Sequence, residues 1–217
     1  MSRAAAAAIR AARAVRGPKG ERCPLCASPL PPQHEHLLDL GSQAQPHREL
    51  SCACQGCALV LADVGVRWRR LPDRGERLEI ALDPSDWARL GVPVDLAFVV
   101  VQANGGVEAT YPSRAGALRS TLPLDAWPSL VARHPVLATL RPEVEGLLVH
   151  RTAEAGPGLT CWRLPLDRCY AVIGHLRSMQ RLSLGPDIQT DVAAWVEHLA
   201  LPCADLPCGD LPCGDLP

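Results

Sequence analysis

Three features of the sequence predict an α+β fold. Strand and helix signals follow one another in uneven order between residues 65 and 200, which argues against a regular parallel sheet. One segment within that stretch carries an unusually clear hairpin pattern. Two C-x2-C pairs are confined to residues 21–64. The expected architecture is a small four-cysteine zinc-knuckle module packed on a mixed α/β layer domain, with a disordered N-terminal arm and C-terminal tail. The boundaries follow composition: an Ala/Arg-rich arm over 1–20, the cysteine-rich module over 21–64, the α+β domain over 65–200, and a low-complexity tail over 201–217.

The elements of the larger domain are read in order. "RWRRLP" and "ERLEIAL" are expected strands. "DPSDWARLG" is a short helix with Asp83 as N-cap, Pro84 in the first turn and Gly91 as the stop. "VDLAFVVVQANGGVEATYPS" is a hairpin, because Asn104-Gly105-Gly106 accepts the positive φ of a tight turn between β-branched runs. "LDAWPSLVARHP" is a second helix, capped by Asp125 and ended by Pro135, and a further short helix is expected from Pro142 into a strand near Leu147–His150. "LTCWRLPLDRCYAVIGHLRSMQR" gives a strand, then a helix capped near Asp167 with Cys169, Val172, Ile173, Leu176 and Met179 on one stripe. In the final helix, "PDIQTDVAAWVEHLA", the stripe is Ile188, Val192, Trp195, Val196 and Leu199.

A chain of 217 residues, 47% hydrophobic, suits one ordinary domain with an appendage. Its 22 basic and 23 acidic residues give no overall bias towards nucleic acid or membrane. Lys19 is the only lysine among those basic residues, a composition typical of a GC-rich bacterial genome. No window approaches the ~18 apolar residues of a spanning helix. In the arm, Arg10 interrupts the apolar run too early for a secretory signal, so a basic helix or frayed tail is expected. Ten cysteines without an export signal, five of them in knuckle-like spacing, favour metal binding in the cytoplasm over disulfides.

The site reading rests on Cys23-x2-Cys26 and Cys54-x2-Cys57. Two residues between thiols let the backbone fold around an ion with its amides aimed at sulfur, and two such pairs supply four tetrahedral ligands. Zinc is the expected metal, because four thiolates close its coordination sphere; iron or an iron-sulfur cluster uses the same ligands. Cys52 is read as a spare buried thiol on the strand face of Cys54. Cys52, His36 and His34 are held as reserve ligands, and His47 also lies between the pairs.

Elsewhere the bland readings prevail. Cys161 and Cys169 are expected in the core. Cys203, Cys208 and Cys213 belong to the "LPCGD" repeat, for which nickel delivery is an alternative to simple low complexity. His134, His175 and His198 stand alone, and Arg67, Arg69 and Arg70 read as a solvated strand face without stacking aromatics for nucleic acid. The phosphate-loop, zinc-protease, nucleophile-elbow and dinucleotide motifs are all missing, so no catalytic residue is assigned. A non-enzymatic role is expected.

The segments "ERCPLCASPLPPQHEHLLDL", "LSCACQGCALVL", "LGVPVDLAFVV", "ATYPSRAGA", "HPVLATLRPEVEGLLVHR" and "LPLDRCYAVIGHLR" resemble a bacterial family of unknown function encoded in gene clusters for uptake nickel-iron hydrogenases. The resemblance runs from Glu21 to Ala200 and includes all five clustered cysteines with His34 and His36. It implies accessory work in hydrogenase maturation, with a hydrogenase subunit or maturation factor as protein partner. It implies no catalytic residue.

Overall fold

The structure is a computed structural model that describes residues 22–31, 33–42, 46–62, 67–113, 116–151, 159–182, 188–200 and 214–215. The arm, and the tail apart from Gly214 and Asp215, lie outside the described residues, and so do the expectations made for them. Two antiparallel sheets organise the rest. The small sheet contains β1 (Glu35–Gly41), β2 (Pro46–Ala53), β3 (Trp68–Arg70) and β10 (Gly214–Asp215), in the order β10-β2-β1-β3. A large sheet has the order β4-β9-β8-β5-β6-β7, built from β4 (Glu76–Leu82), β5 (Leu96–Val101), β6 (Val107–Ser113), β7 (Gly116–Thr121), β8 (Glu145–Arg151) and β9 (Leu159–Pro165). The helices are α1 (Gln55–Ala62), α2 (Pro84–Arg89), α3 (Ala126–Arg133), α4 (Leu166–Leu182) and α5 (Ile188–Leu199).

Helices cover both faces of the large sheet, which explains why β5 reads "LAFVVV" rather than alternating with polar residues. Leu96, Phe98 and Val100 face α4 and α5, together with Trp162 and Leu164. Ala97 and Val99 face the opposite layer, where Trp87 of α2 and Trp127 and Leu130 of α3 are buried. The stripe of α4 is buried at Cys169, Val172, Ile173 and Leu176, and that of α5 at Val192, Val196 and Leu199. Trp195 lies between His175 and His198, with ring centroids 4.5 and 5.5 Å away. Gly146 is where α4 comes closest to the sheet: a Cβ there would lie 2.8 Å from Cys169 Sγ.

The hairpin forms as its sequence dictates, with Gly105 at φ +83 and Gln102 N donating to Gly106 O at 2.8 Å. Asp83 caps α2 by accepting from Ser85 N at 2.6 Å and Asp86 N at 2.9 Å, while Asp86 reaches back to the Asp83 amide. Asp125 occupies the N-cap of α3 but makes no side-chain capping bond, because its backbone is already helical at φ −95, ψ −13. No helix starts at Pro142. A 3-10 turn occupies Pro135–Thr139 instead, and the chain then turns directly into β8. Proline fixes φ but does not choose between a helix and a turn.

The cysteine module shares its core with the larger domain. Leu38, Leu50 and Leu71 join Phe98, Tyr170 and Ile173 in one buried cluster. Glu143, at φ 71, clamps the same joint: its carboxylate pairs with Arg48 of β2 and accepts from Ala103 N at 2.8 Å. β3, on the far side of the expected boundary near residue 64, pairs with β1 and belongs to the small sheet. The reason is electrostatic as well as apolar. Arg67 makes two bonds to Asp39 (2.6 and 2.5 Å) and Arg70 two to Glu35 (2.7 Å each), which is how the basic strand face is neutralised.

His150 of β8 is only 3% exposed, and burial pushes its imidazole below the ordinary value while the neighbouring Asp95 opposes the shift. Below about pH 6.5 the unfolded chain takes up a proton here that the folded chain resists. Stability is therefore expected to be full above that pH and to fall as the pH drops. Urea midpoints measured from pH 7.5 to 5 check this: His150→Gln should flatten the slope, and an unchanged slope would refute the assignment.

Candidate metal centre

The two C-x2-C loops meet. The first is a tight turn in which Cys23 N donates to Ser28 O at 2.9 Å and Ala27 N to Cys23 O at 2.8 Å. Ala27 closes it at φ 61, a left-handed conformation that costs a non-glycine residue about 1–2 kcal/mol. The second pair spans the junction between β2 and α1: Cys54 follows the strand and Cys57 lies in the first helical turn. The hairpin register puts this junction beside the start of β1, since Ala53 pairs with Glu35. That pairing brings residues 23 and 26 to residues 54 and 57.

The sulfurs of Cys23, Cys26, Cys54 and Cys57 all lie within 4.8 Å of one another. Cys26 Sγ and Cys54 Sγ are 3.6 Å apart, and all four cysteines are free of disulfides. Four sulfurs about 2.3 Å from a tetrahedral ion would stand about 3.8 Å apart, so the spacing suits one shared metal. Amides point at sulfur as the sequence spacing requires: Cys54 N to Cys23 Sγ and Cys57 N to Cys54 Sγ, each 3.5 Å.

The acidities follow from this crowding. Bonds from the Ser28 side chain and amide, then from Cys57 and Cys54, pull the Cys26 thiol down to about 6. Burial pushes Cys23 up, yet the amides of Cys54, Leu25 and Cys26 outweigh it and its value is lowered. Cys57 is pushed up to about 12, chiefly by its bond to Cys26 and then by Cys54. Four thiols crowded this closely would repel one another as thiolates, and a bound cation would remove that conflict. The four cysteines could hold a metal ion.

The remaining candidates separate from this cage. His34, His36 and Cys52 form a cluster of their own. Cys52 is not a spare buried thiol: it is half-buried and disulfide-bonded. Sequence spacing could not show this, although β10 brings the tail alongside β2 at Leu50 and Glu49. The His47 side chain and Cys203, Cys208 and Cys213 lie outside the described residues. Cys161 and Cys169 are buried as expected, and burial pushes Cys161 up to about 12. Asp167 was expected to cap α4, but its Oδ2 bonds His36 Nδ1 at 2.5 Å. No local signal marks that pairing across 131 residues.

Fold and site together define a class: an α+β protein of two antiparallel sheets, carrying a four-cysteine cluster with the spacing of a metal cage. The chain belongs to the family of unknown function (DUF5947), which it matches over residues 22–202. No curated protein and no solved structure matches it. Among the described residues no helix is long and apolar enough to cross a membrane.

Proposed function

We propose that this chain is a non-enzymatic accessory protein whose cysteine cage holds one zinc ion and whose cysteine module binds a protein partner in nickel-iron hydrogenase assembly or maturation. The convergence of four thiols within 4.8 Å carries the metal reading. Four thiolates fill a tetrahedral ion and leave no position for substrate, which suits a staple better than a reaction centre. The partner reading is supported by α1, which leaves the cage as "QGCALVLA" with Ala58 its only buried residue. Leu59 and Val60 stand 51% and 65% exposed. An apolar helix left open to water beside a rigid metal loop is suited to a protein contact. The hydrogenase context comes from the motif resemblance alone.

Iron in the same cage is the second reading, favoured by the amide bonds to sulfur that also tune iron-thiolate centres. Nickel delivery through the cysteine tail concerns residues outside the described ones. Metal analysis of protein purified anaerobically, without an affinity tag that carries nickel, separates these readings. A colourless protein with zinc in the cage is expected; iron with visible thiolate bands would replace zinc by the second reading. For the partner, a hydrogenase subunit or maturation factor should co-purify from the source cells and be lost from the Leu59→Glu, Val60→Glu double variant with its metal retained. Failure of the unaltered chain to enrich either protein would overturn the assembly role.

A further inference from the structure

β2 has one edge on β1 and the other on the chain's own tail. β10 pairs antiparallel with β2 as the outermost strand of the small sheet, with Gly214 opposite Leu50 and Asp215 opposite Glu49. Left uncovered, such an edge presents unpaired amides and carbonyls to any extended chain. β2 also runs directly into Cys54, so whatever covers this edge steadies the hairpin that joins the two halves of the cage.

The covering strand belongs to one copy of a repeat. Pro-Cys-Gly-Asp-Leu-Pro over residues 212–217 occurs again over 207–212, and with Ala204 in place of the glycine over 202–207. Sliding the tail by five residues therefore brings equivalent residues opposite Leu50 and Glu49: Gly209 and Asp210, or Ala204 and Asp205 on a second slide. Proline has no amide to donate and is tolerated on outermost strands, where one side needs no ladder. A proline at each end of every unit confines pairing to the residues between, which matches the two-residue length of β10. The pairing is also weak by charge. Asp39, Glu49 and Asp215 are successive register partners across β1, β2 and β10, and acidic residues placed opposite one another destabilise a pair. A short ladder with opposed charges depends on its tether, and three tethered copies multiply the chance that one is in place.

We propose that the outer edge of β2 is a strand-docking site for the chain's own tail, with the three repeat units as interchangeable occupants. Main-chain hydrogen bonds supply the attachment and repetition supplies the occupancy. The repeat is in this way a redundant cover for an exposed sheet edge.

The test is hydrogen–deuterium exchange of the full chain, read on the amides of residues 48–51 and, as internal control, on those of β5. A phosphine reductant is present throughout, so that no cysteine cross-link holds the tail. One variant disables the last unit by Gly214→Pro and Asp215→Pro. A second variant adds Ala204→Pro, Asp205→Pro, Gly209→Pro and Asp210→Pro. Residues 48–51 should exchange several-fold faster in the second variant than in the unaltered chain. The first variant should keep about two thirds of that protection, because two of three units remain. Glu49→Gln should raise protection in the unaltered tail, since every unit brings an aspartate to the same register position. Exchange in β5 should be the same in all four proteins, and dilution should change nothing. Equal exchange in the unaltered chain and the second variant would show that the tail does not cover the edge. A first variant as exposed as the second would show that the units are not interchangeable, and a Glu49→Gln chain without added protection would refute the register. Protection that rises with protein concentration would give the edge to the tail of a second copy. Each of these results overturns the proposal.

Discussion

On the proposed metal reading, chelating the ion out of the cysteine cage should unfold the loop over residues 22–31 and loosen α1, while the six-stranded sheet stays intact. Along that loop Cys23 is the one residue buried, so hydrophobic burial contributes almost nothing to its stability. What fixes it is the sulfur cluster and a few backbone hydrogen bonds within the loop itself, among them the bridge between Arg22 and Pro29 and the bond from Ala27 N to Cys23 O. Structural zinc commonly supplies apparent binding energies of about 10–16 kcal/mol in small knuckles, far more than a short loop needs to stay folded. Limited proteolysis with and without a strong chelator is the measurement. Cleavage within residues 22–31 should accelerate sharply on chelation, whereas fragments spanning β5 to β9 should survive. Cys54→Ser should mimic the chelator. Cys54 sits 3.6 Å from Cys26 Sγ and accepts from the Cys57 amide, so its loss should weaken metal binding by more than the roughly 10- to 100-fold typical of an outer partner. A chelated protein with the cleavage pattern of the metal-loaded one would show that the cage is not the fastener.

The second large effect belongs to Arg168. Its side chain is fully buried, yet it carries a charge. Nη1 donates to the Leu199 carbonyl at 2.7 Å at the C-terminal end of α5, and Nη2 donates to the Asp73 carbonyl before β4. One side chain thus joins α4, α5 and the strand connection at the edge of the large sheet. A helix C-terminus concentrates partial negative charge, so a guanidinium there is bound electrostatically as well as by hydrogen bonds. Arg168→Met keeps the length but leaves both carbonyls without that donor, and losing hydrogen bonds from a charged group of this kind costs about 1.5–3 kcal/mol each. For a chain of this size the thermal midpoint should fall on the order of 10 °C. Arg77→Ala, removing an exposed arginine 4.0 Å from Glu79, is the control and should change stability by less than about 0.5 kcal/mol. If calorimetry gives the two variants the same midpoint, the joint at Arg168 has been misread.

Local chemistry made part of the architecture legible. The Asp83 capping box, the glycine turn at residue 105 and the apolar stripes of α4 and α5 depend on neighbours within one helical turn or one hairpin. The metal cage belongs with them in one respect: a C-x2-C loop presents its sulfurs through its own backbone, so each half was visible in the sequence. Uniting the halves needed the β1–β2 hairpin, a long-range pairing that the cysteine pattern did not announce.

Elsewhere long-range contacts decided. β3 joined the small sheet because Arg67 just before it and Arg70 within it found Asp39 and Glu35, and Asp167 turned from a helix cap into the anchor of His36. Likewise His34, His36 and Cys52 form a cluster separate from the cage they were expected to supplement. By itself the sequence determined what each segment can do with its nearest neighbours: turn, cap, bury a stripe, present two sulfurs. Tertiary structure alone decided which segments meet, because burial and charge pairing act through space and select partners that no local spacing records.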